Sequence, residues 1–339
     1  MKVLFALESK NDMRKNIVSH INKLGYEVIC FPKENFKPYE LNFLDKVLNI
    51  LFLTIKRKNF ILRKRKIRHD KKYKNAQISH IKSQDFYKYS IIFRADSIED
   101  EVLKLIREKS EKMIAYQWDG MKRYPEIDTK IKFFDSFFCF DPKDADDQNI
   151  KFISNFYFDK LPIKSQTNEY DLTYIGYYYP DRFRLLENLA ETLKGVHINF
   201  QLKSFRLNEV NEIKHSKYIE YIEQVFNYEE LLEIHSKSLA ILDLKHPVHD
   251  GLSFRFFEAM ILEKKLITTN EEVKNYDFYN SQNIFILNEK NVNQIKDFLM
   301  QPYHSLDPKI VEKYSFSNWF KNLTDSTDKI PIFNPIQDA

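Results

Sequence analysis

The sequence predicts an α/β chain with two successive parallel sheets, each covered by helices on both faces. Three observations predict it. Strand-like and helix-like segments alternate almost throughout, which is the pattern of parallel sheets buried on both sides. The chain has 339 residues, comfortable for two domains of about 150 each. A polar, proline-containing stretch at 159–169, DKLPIKSQTNE, separates two such runs, and the alternation restarts after it with YDLTYIG at 170–176. The expected division is a first domain at 1–160, a second at 170–323 and a tail at 324–339.

The first half opens with an apolar strand, Lys2 to Leu7. Asp12 to Leu24 has helical spacing and stops at Gly25, a good C-terminal signal. Glu27 to Phe31 is the next strand, which completes β-α-β in about 30 residues, the size of one parallel unit. Residues 38–85 interrupt this rhythm as an insertion. There Leu41, Leu44, Val47, Leu48, Leu51 and Phe52 recur at helical spacing, and a basic run from Lys56 to Lys74 follows with eleven Lys or Arg against one Asp. The alternation resumes with strand Ser90–Phe93, helix Glu99–Lys109 and strand Met113–Gln117, which runs into Trp118-Asp119-Gly120. Short strands follow at Ser136–Phe140 and Lys151–Ile153.

In the second half, strand Tyr170–Gly176 precedes a helix at Phe183–Lys194 that is closed by Gly195. Strand Ile198–Leu202, helix Glu229–Ser236, strand Leu239–Leu242, helix Phe254–Leu262 and strand Lys265–Thr268 come next. Val292–Leu299 and Ser317–Leu323 read as late helices. In such sheets ligands bind beyond the carboxyl ends of the strands, where the strand order reverses. Two halves facing each other would hold a ligand in the cleft between them.

Composition narrows the class. Hydrophobic residues make up 43% and charged residues 30%, which fits a globular chain and excludes wholesale disorder. The two cysteines, Cys30 and Cys139, sit in the apolar runs EVICF and SFFCF and read as buried free thiols, consistent with a reducing compartment. The N-terminal MKVLFALESKND is too short in apolar residues for a signal peptide. The longest apolar run, Val47–Ile55, is about half a membrane span. A cytoplasmic protein is expected. A dinucleotide-dependent oxidoreductase would need GxGxxG after the first strand, where Glu8-Ser9-Lys10-Asn11 stands instead.

The segment richest in chemistry is 242–270, LDLKHPVHDGLSFRFFEAMILEKKLITTN. A strand ends near Leu242, a polar loop follows, and a helix starts near Ser253. Free backbone N–H groups and the helix dipole at that start favour an anion such as a diphosphate. Gly251 would let the backbone approach a phosphate, and Ser253 would cap the helix. Arg255 and Glu258, three apart, share a helix face. Arginine suits phosphate, and a carboxylate a turn deeper suits the hydroxyls of a ribose. Read singly, Ser253 is only a cap and Arg255 with Glu258 only a surface pair.

This stretch resembles the C-terminal donor-binding motif of GT-B glycosyltransferases, and GLSFRFFEAMILEKKLITTN is similar to that of bacterial lipopolysaccharide and capsular polysaccharide glycosyltransferases. The resemblance implies a GT-B fold of two Rossmann-like domains with parallel sheets facing a central cleft. It implies that Glu258 binds the donor ribose and that Gly251, Leu252 and Ser253 meet the diphosphate. Asp250 and Glu258 have seven residues between them, the spacing of an acidic pair in many retaining members, though their first residue is usually Glu. YDLTYIGYYYPDR, 170–182, looks like the opening strand and glycine loop of the same domain, with Gly176 near the phosphates and Arg182 as counter-charge.

Weaker signals complete the site. Asp119, just past a strand, suits a general base or acceptor ligand. His246 and His249 flank Pro247 in the donor loop and suit the donor sugar or phosphate. Asp144, Asp146 and Asp147 read as a solvated turn, so no metal is expected and no cofactor beyond the nucleotide-sugar donor. The expected catalytic residues are Asp119, Arg255 and His249.

The basic run admits a solvated helix, an anionic membrane surface or nucleic acid as its partner. The amphipathic stretch before it favours the membrane surface. A net charge of +4 falls short of the nucleic-acid signature, so a non-enzymatic nucleic-acid-binding protein using 56–74 is the alternative rather than the expectation. The expected acceptor is a surface glycan or a lipid-linked saccharide.

Overall fold

The computed structural model describes residues 1–7, 12–32, 74–146, 149–159 and 167–336. Most of the 38–85 insertion, including the basic run up to Tyr73, lies outside the described residues, as does Asp147.

The first sheet contains β1 (Lys2–Ala6), β2 (Glu27–Phe31), β3 (Tyr87–Phe93), β4 (Ser110–Gln117), β5 (Ser136–Cys139) and β6 (Ile150–Phe152), in the order β2-β1-β3-β4-β5-β6. The second contains β7 (Tyr170–Tyr177), β8 (Ile198–Lys203), β9 (Ile219–Tyr221), β10 (Ser238–Asp243), β11 (Lys265–Thr268) and β12 (Ile284–Ile286), in the order β12-β11-β10-β7-β8-β9. Its pairings are all parallel, and the order reverses between β7 and β10. A strand covered on both faces reads as a continuous apolar run, and Ala240, Ile241 and Leu242 of β10 are fully buried.

Local chemistry sets the helix ends. The helix Pro180–Thr192 starts on a proline, whose missing N–H costs nothing in a first turn, and it buries Phe183, Leu186, Leu189 and Ala190. The helix Tyr228–Ser236 carries a capping box between Asn227 and Glu230. Ser253 caps the helix Phe254–Ile261. The core of this half runs through Leu172, Leu186, Phe200, Ala240, Leu242 and Ile267.

Several short elements go unassigned in the sequence, among them the helix Pro308–Lys313. β9 and β12 have three residues each, too few to display a period. The helix Leu207–His215 buries only Ile213, so it shows no apolar stripe. Two sequence expectations need correction. Cys139 is buried, but Cys30 is only partly so. Asp144 is not a solvated turn residue: its carboxylate accepts from the Met121 amide at 2.9 Å, and burial raises its pKa.

The chain groups into two compact units. One comprises Met1–Glu8, Ile21–Tyr116 and Glu126–Ser136; the other comprises Ser9–His20, Gln117–Pro125 and Phe137–Ala339. Within the second unit, the helix Phe316–Thr324 buries Phe316, Trp319, Phe320 and Leu323, and Trp319 Nε1 donates to the Ser154 carbonyl. Asn318 and Asn322 hold the backbone of Ile330, inside the stretch expected as a tail. No helix among the described residues is long and apolar enough to cross a membrane.

Candidate functional site

The site grows from the carboxyl end of β10. Asp243, its last residue, is 2% exposed. Its Oδ1 accepts from Ser253 Oγ at 2.7 Å, its Oδ2 accepts from Thr268 Oγ1 at 3.0 Å, and Arg255 Nη1 lies 3.7 Å away. The Ser253 hydroxyl also accepts from the Arg255 amide at 3.3 Å, so one side chain caps the helix and ties it to the sheet. Sequence reasoning missed Asp243, which reads as the polar boundary of an apolar strand.

Two arginines converge beside this acid. Arg255 Nη2 donates to the Ile175 carbonyl at 2.6 Å, and its guanidinium sits 5.3 Å from the Tyr174 ring centre. Arg182, in the first turn of the helix Pro180–Thr192, donates to the carbonyls of Leu244 and Tyr177 at 3.3 and 3.5 Å. Its guanidinium lies 5.8 Å from the same ring and 4.9 Å from that of Tyr179. Tyr174 is buried in β7, and burial raises its phenol pKa against the pull of the two cations. Both cations therefore stand where the strand order reverses. A Cβ on Gly176 would come 2.7 Å from the Tyr174 hydroxyl, so this glycine leaves room for that phenol.

Glu258 does not form the surface pair with Arg255 that their spacing alone would allow. It is 2% exposed, with Oε2 3.2 Å from His235 Nδ1, and burial together with this nearby carboxylate raises the Tyr228 phenol pKa. Arg255 turns to Asp243 and Ile175 instead.

The loop from Leu244 to Leu252 is held by a distant stretch of chain. Asp250 pairs with Lys245 and Lys143, and these cations hold its carboxyl below the usual range. Its amide donates to Asp141 Oδ2 at 2.7 Å, and its carbonyl accepts from Asn270 Nδ2 at 3.0 Å. The room that Gly251 leaves is taken by protein, since a Cβ there would meet the Phe140 ring at 2.6 Å and the Phe140 carbonyl oxygen at 2.7 Å. Leu252 is buried, and its carbonyl accepts from Asn155 at 2.9 Å. The glycine expected to admit a phosphate thus admits Phe140.

The same loop brings His249 to Asp119. Gly120 lies against it so closely that a Cβ would stand 2.9 Å from the Val248 carbonyl oxygen and 3.0 Å from His249 Cβ. His246 and His249 stack with ring centres 5.6 Å apart. Burial pushes both imidazoles below their ordinary pKa, while Asp141 and Asp119 pull His249 partly back. Asp119 itself pairs with Arg123 at 3.2 Å. A cleft of about 450 Å³ elsewhere in this unit, lined by Met260, Glu263, Tyr303, Val311 and Asn318 among others, takes in none of these residues.

No protein-family model and no curated protein matches the sequence. Solved structures do. The chain is similar to the N-terminal domain of trehalose-6-phosphate phosphatase from Candida albicans, with 10% identity over 95% of both chains and a TM-score of 0.54. It is similar to a UDP-forming α,α-trehalose-phosphate synthase from Burkholderia xenovorans, with 10% identity over 97% of this chain and 99% of that one and a TM-score of 0.52. It is also similar to AviGT4, a glycosyltransferase involved in avilamycin A biosynthesis, with 10% identity over 96% and 99% and a TM-score of 0.50. At this identity the likeness establishes the fold, which is GT-B: α/β, with two Rossmann-like domains.

Proposed function

We propose that this chain is a glycosyltransferase that moves a sugar from a nucleotide-sugar donor to a saccharide acceptor. The convergence of Arg182 and Arg255 on Tyr174, at the carboxyl end of β7, carries the reading. Backbone carbonyls fix both guanidiniums, which leaves further N–H groups for a diphosphate. The start of the helix Phe254–Ile261 adds its dipole. Similar structures that are named as a UDP-forming synthase and a glycosyltransferase support the same chemistry here.

In this reading the acceptor hydroxyl oxygen bonds to the anomeric carbon as the bond from that carbon to the diphosphate oxygen breaks. The nucleoside diphosphate leaves, and Arg182 and Arg255 stabilise the charge that grows on it without a metal. His249, neutral near pH 7 because burial lowers its pKa, takes the hydroxyl proton, with Asp119 beside it. Glu258 accepts from the ribose hydroxyls. A carboxylate offers about four acceptor positions, of which Tyr228 and His235 approach two. Gly176, Asp250, Gly251, Leu252 and Ser253 shape the seat by fixing Tyr174, the donor loop and the helix start.

The donor domain is 170–323 and the acceptor domain 1–160. The acceptor is a surface glycan or lipid-linked saccharide at the inner face of the cytoplasmic membrane, which the 38–85 stretch would meet through anionic headgroups. A thermal-shift screen against UDP, GDP, ADP, CDP and CMP tests the donor reading. One of them should raise the melting temperature of the wild type, and Arg182→Ala with Arg255→Ala should abolish the shift. No shift with any nucleotide or nucleotide sugar would refute it.

A further inference from the structure

Glu258 has unusual company. Tyr228 and His235 lie seven apart on the helix Tyr228–Ser236, two turns on one face, and both reach the carboxylate presented by the helix Phe254–Ile261. The setting is apolar: Leu232, between the two on the same helix, is buried, and the buried Phe158 ring lies 5.3 Å from that of Tyr228. His235 is fully buried, yet neither of its ring nitrogens nor Glu258 Oε2 has an aligned hydrogen-bond partner among the described residues. The 3.2 Å approach of Nδ1 to Oε2 is contact without hydrogen-bond geometry. Apolar side chains would fill this space without the desolvation of three polar groups. An incompletely bonded polar trio between two helices therefore calls for a reason beyond packing.

We propose that His235 and Tyr228 are positioning residues for Glu258, which hold its carboxylate from behind so that its remaining acceptor positions face the two ribose hydroxyls. This rests on the reading of Glu258 as the ribose contact. With its proton on Nδ1, His235 aligns with Oε2 by a small ring rotation once the hydroxyls engage the other lone pairs. Tyr228, whose pKa burial and the nearby carboxylate raise, stays protonated and donates.

The test uses UDP, GDP, ADP and CDP, each beside its 2′,3′-dideoxy analogue, with dissociation constants from calorimetry. Wild type should prefer one ribonucleotide over its dideoxy analogue by at least about tenfold, the loss expected for hydrogen bonds to a charged group. Glu258→Gln should erase most of that ratio. His235→Gln and Tyr228→Phe should each cut the ratio by about threefold or more while leaving dideoxy affinity unchanged. A role confined to packing would lower both affinities equally or lower only the melting temperature. If Glu258→Gln erases the ratio but His235→Gln and Tyr228→Phe keep it, or weaken both ligands alike, the positioning role is overturned and the ribose reading stands. If wild type binds none of the four, binds each analogue as well as its parent, or keeps its ratio in Glu258→Gln, the ribose reading fails and takes the positioning role with it.

Discussion

Asp243→Ala should destabilise the second compact unit by about 3–4 kcal/mol. The carboxylate accepts two hydroxyl hydrogen bonds, from Ser253 at 2.7 Å and Thr268 at 3.0 Å, in a site that is 2% exposed. Hydrogen bonds to a buried charge contribute about 1.5–3 kcal/mol each. The lower end applies to Ser253, which is partly exposed so that water can accept its freed O–H; the fully buried Thr268 hydroxyl loses the acceptor for its proton, which puts its share at about 1.5–2 kcal/mol. Arg255, 3.7 Å away and partly exposed, adds at most about 1 kcal/mol. Asp243→Asn keeps one carbonyl acceptor and should cost about half as much. Urea unfolding followed by tryptophan fluorescence is the assay. Both tryptophans, Trp118 and Trp319, belong to the same unit as Asp243, so the signal reports that unit. With a slope of about 2 kcal/mol per molar, the midpoint should fall by roughly 1.5–2 M. A shift worth less than about 1 kcal/mol in the alanine variant would refute the view of Asp243 as the tie between β10, β11 and the helix start.

Other consequences are as direct. Arg255→Ala should weaken nucleotide binding roughly tenfold or more and reduce turnover, with the melting temperature close to wild type. Activity should survive EDTA, and complete loss with chelator would contradict metal-free catalysis. His246 and His249 have pKa values below the ordinary 6.5, so the unfolded chain binds more protons than the folded one near and below that pH. Their contribution is present above pH 6.5 and is lost as pH falls through the folded values. The melting temperature should thus drop less between pH 7 and 5 in a His246→Gln, His249→Gln variant, and an equal drop would exclude these imidazoles. Gly251→Ala should cost about 1–3 kcal/mol by overpacking. Phe140→Ala should not rescue it, because the Phe140 carbonyl also stands 2.7 Å from the added methyl; full rescue would show that the ring alone matters. The wild type should sediment with anionic liposomes at low salt, and Gln at Arg63, Lys64, Arg65 and Lys66 should weaken this; indifference of the wild type would leave the basic run a solvated face.

Much of the fold was legible because periodicity is local. The alternation of β7, β8, β10 and β11 with the helices Pro180–Thr192, Tyr228–Ser236 and Phe254–Ile261 needs only nearest neighbours in sequence, and so does the cap that Ser253 places on an amide two residues on. What stayed hidden is set by partners far along the chain. Asp141 holds the Asp250 amide across 109 residues, and Asn155 holds the Leu252 carbonyl across 97. Gly251 carried a plausible local reason, approach of a phosphate, and a different distant one, the ring and carbonyl of Phe140. Helix spacing puts Glu258 on one face with Arg255, yet the neighbours of Glu258 come from the preceding helix. Asp243 is the instructive omission. In SLAILD the acid looks like the point where an apolar strand meets solvent, and an exposed turn residue is the ordinary inference. A strand buried on both faces has no solvent at its carboxyl end when a loop and a helix start return over it, so an acid there must find donors, and Ser253 and Thr268 supply them. That end is also where open parallel sheets receive ligands. A charged residue that closes a continuous apolar strand is therefore a site signal in its own right, and in this chain it points to the place where Arg182 and Arg255 meet.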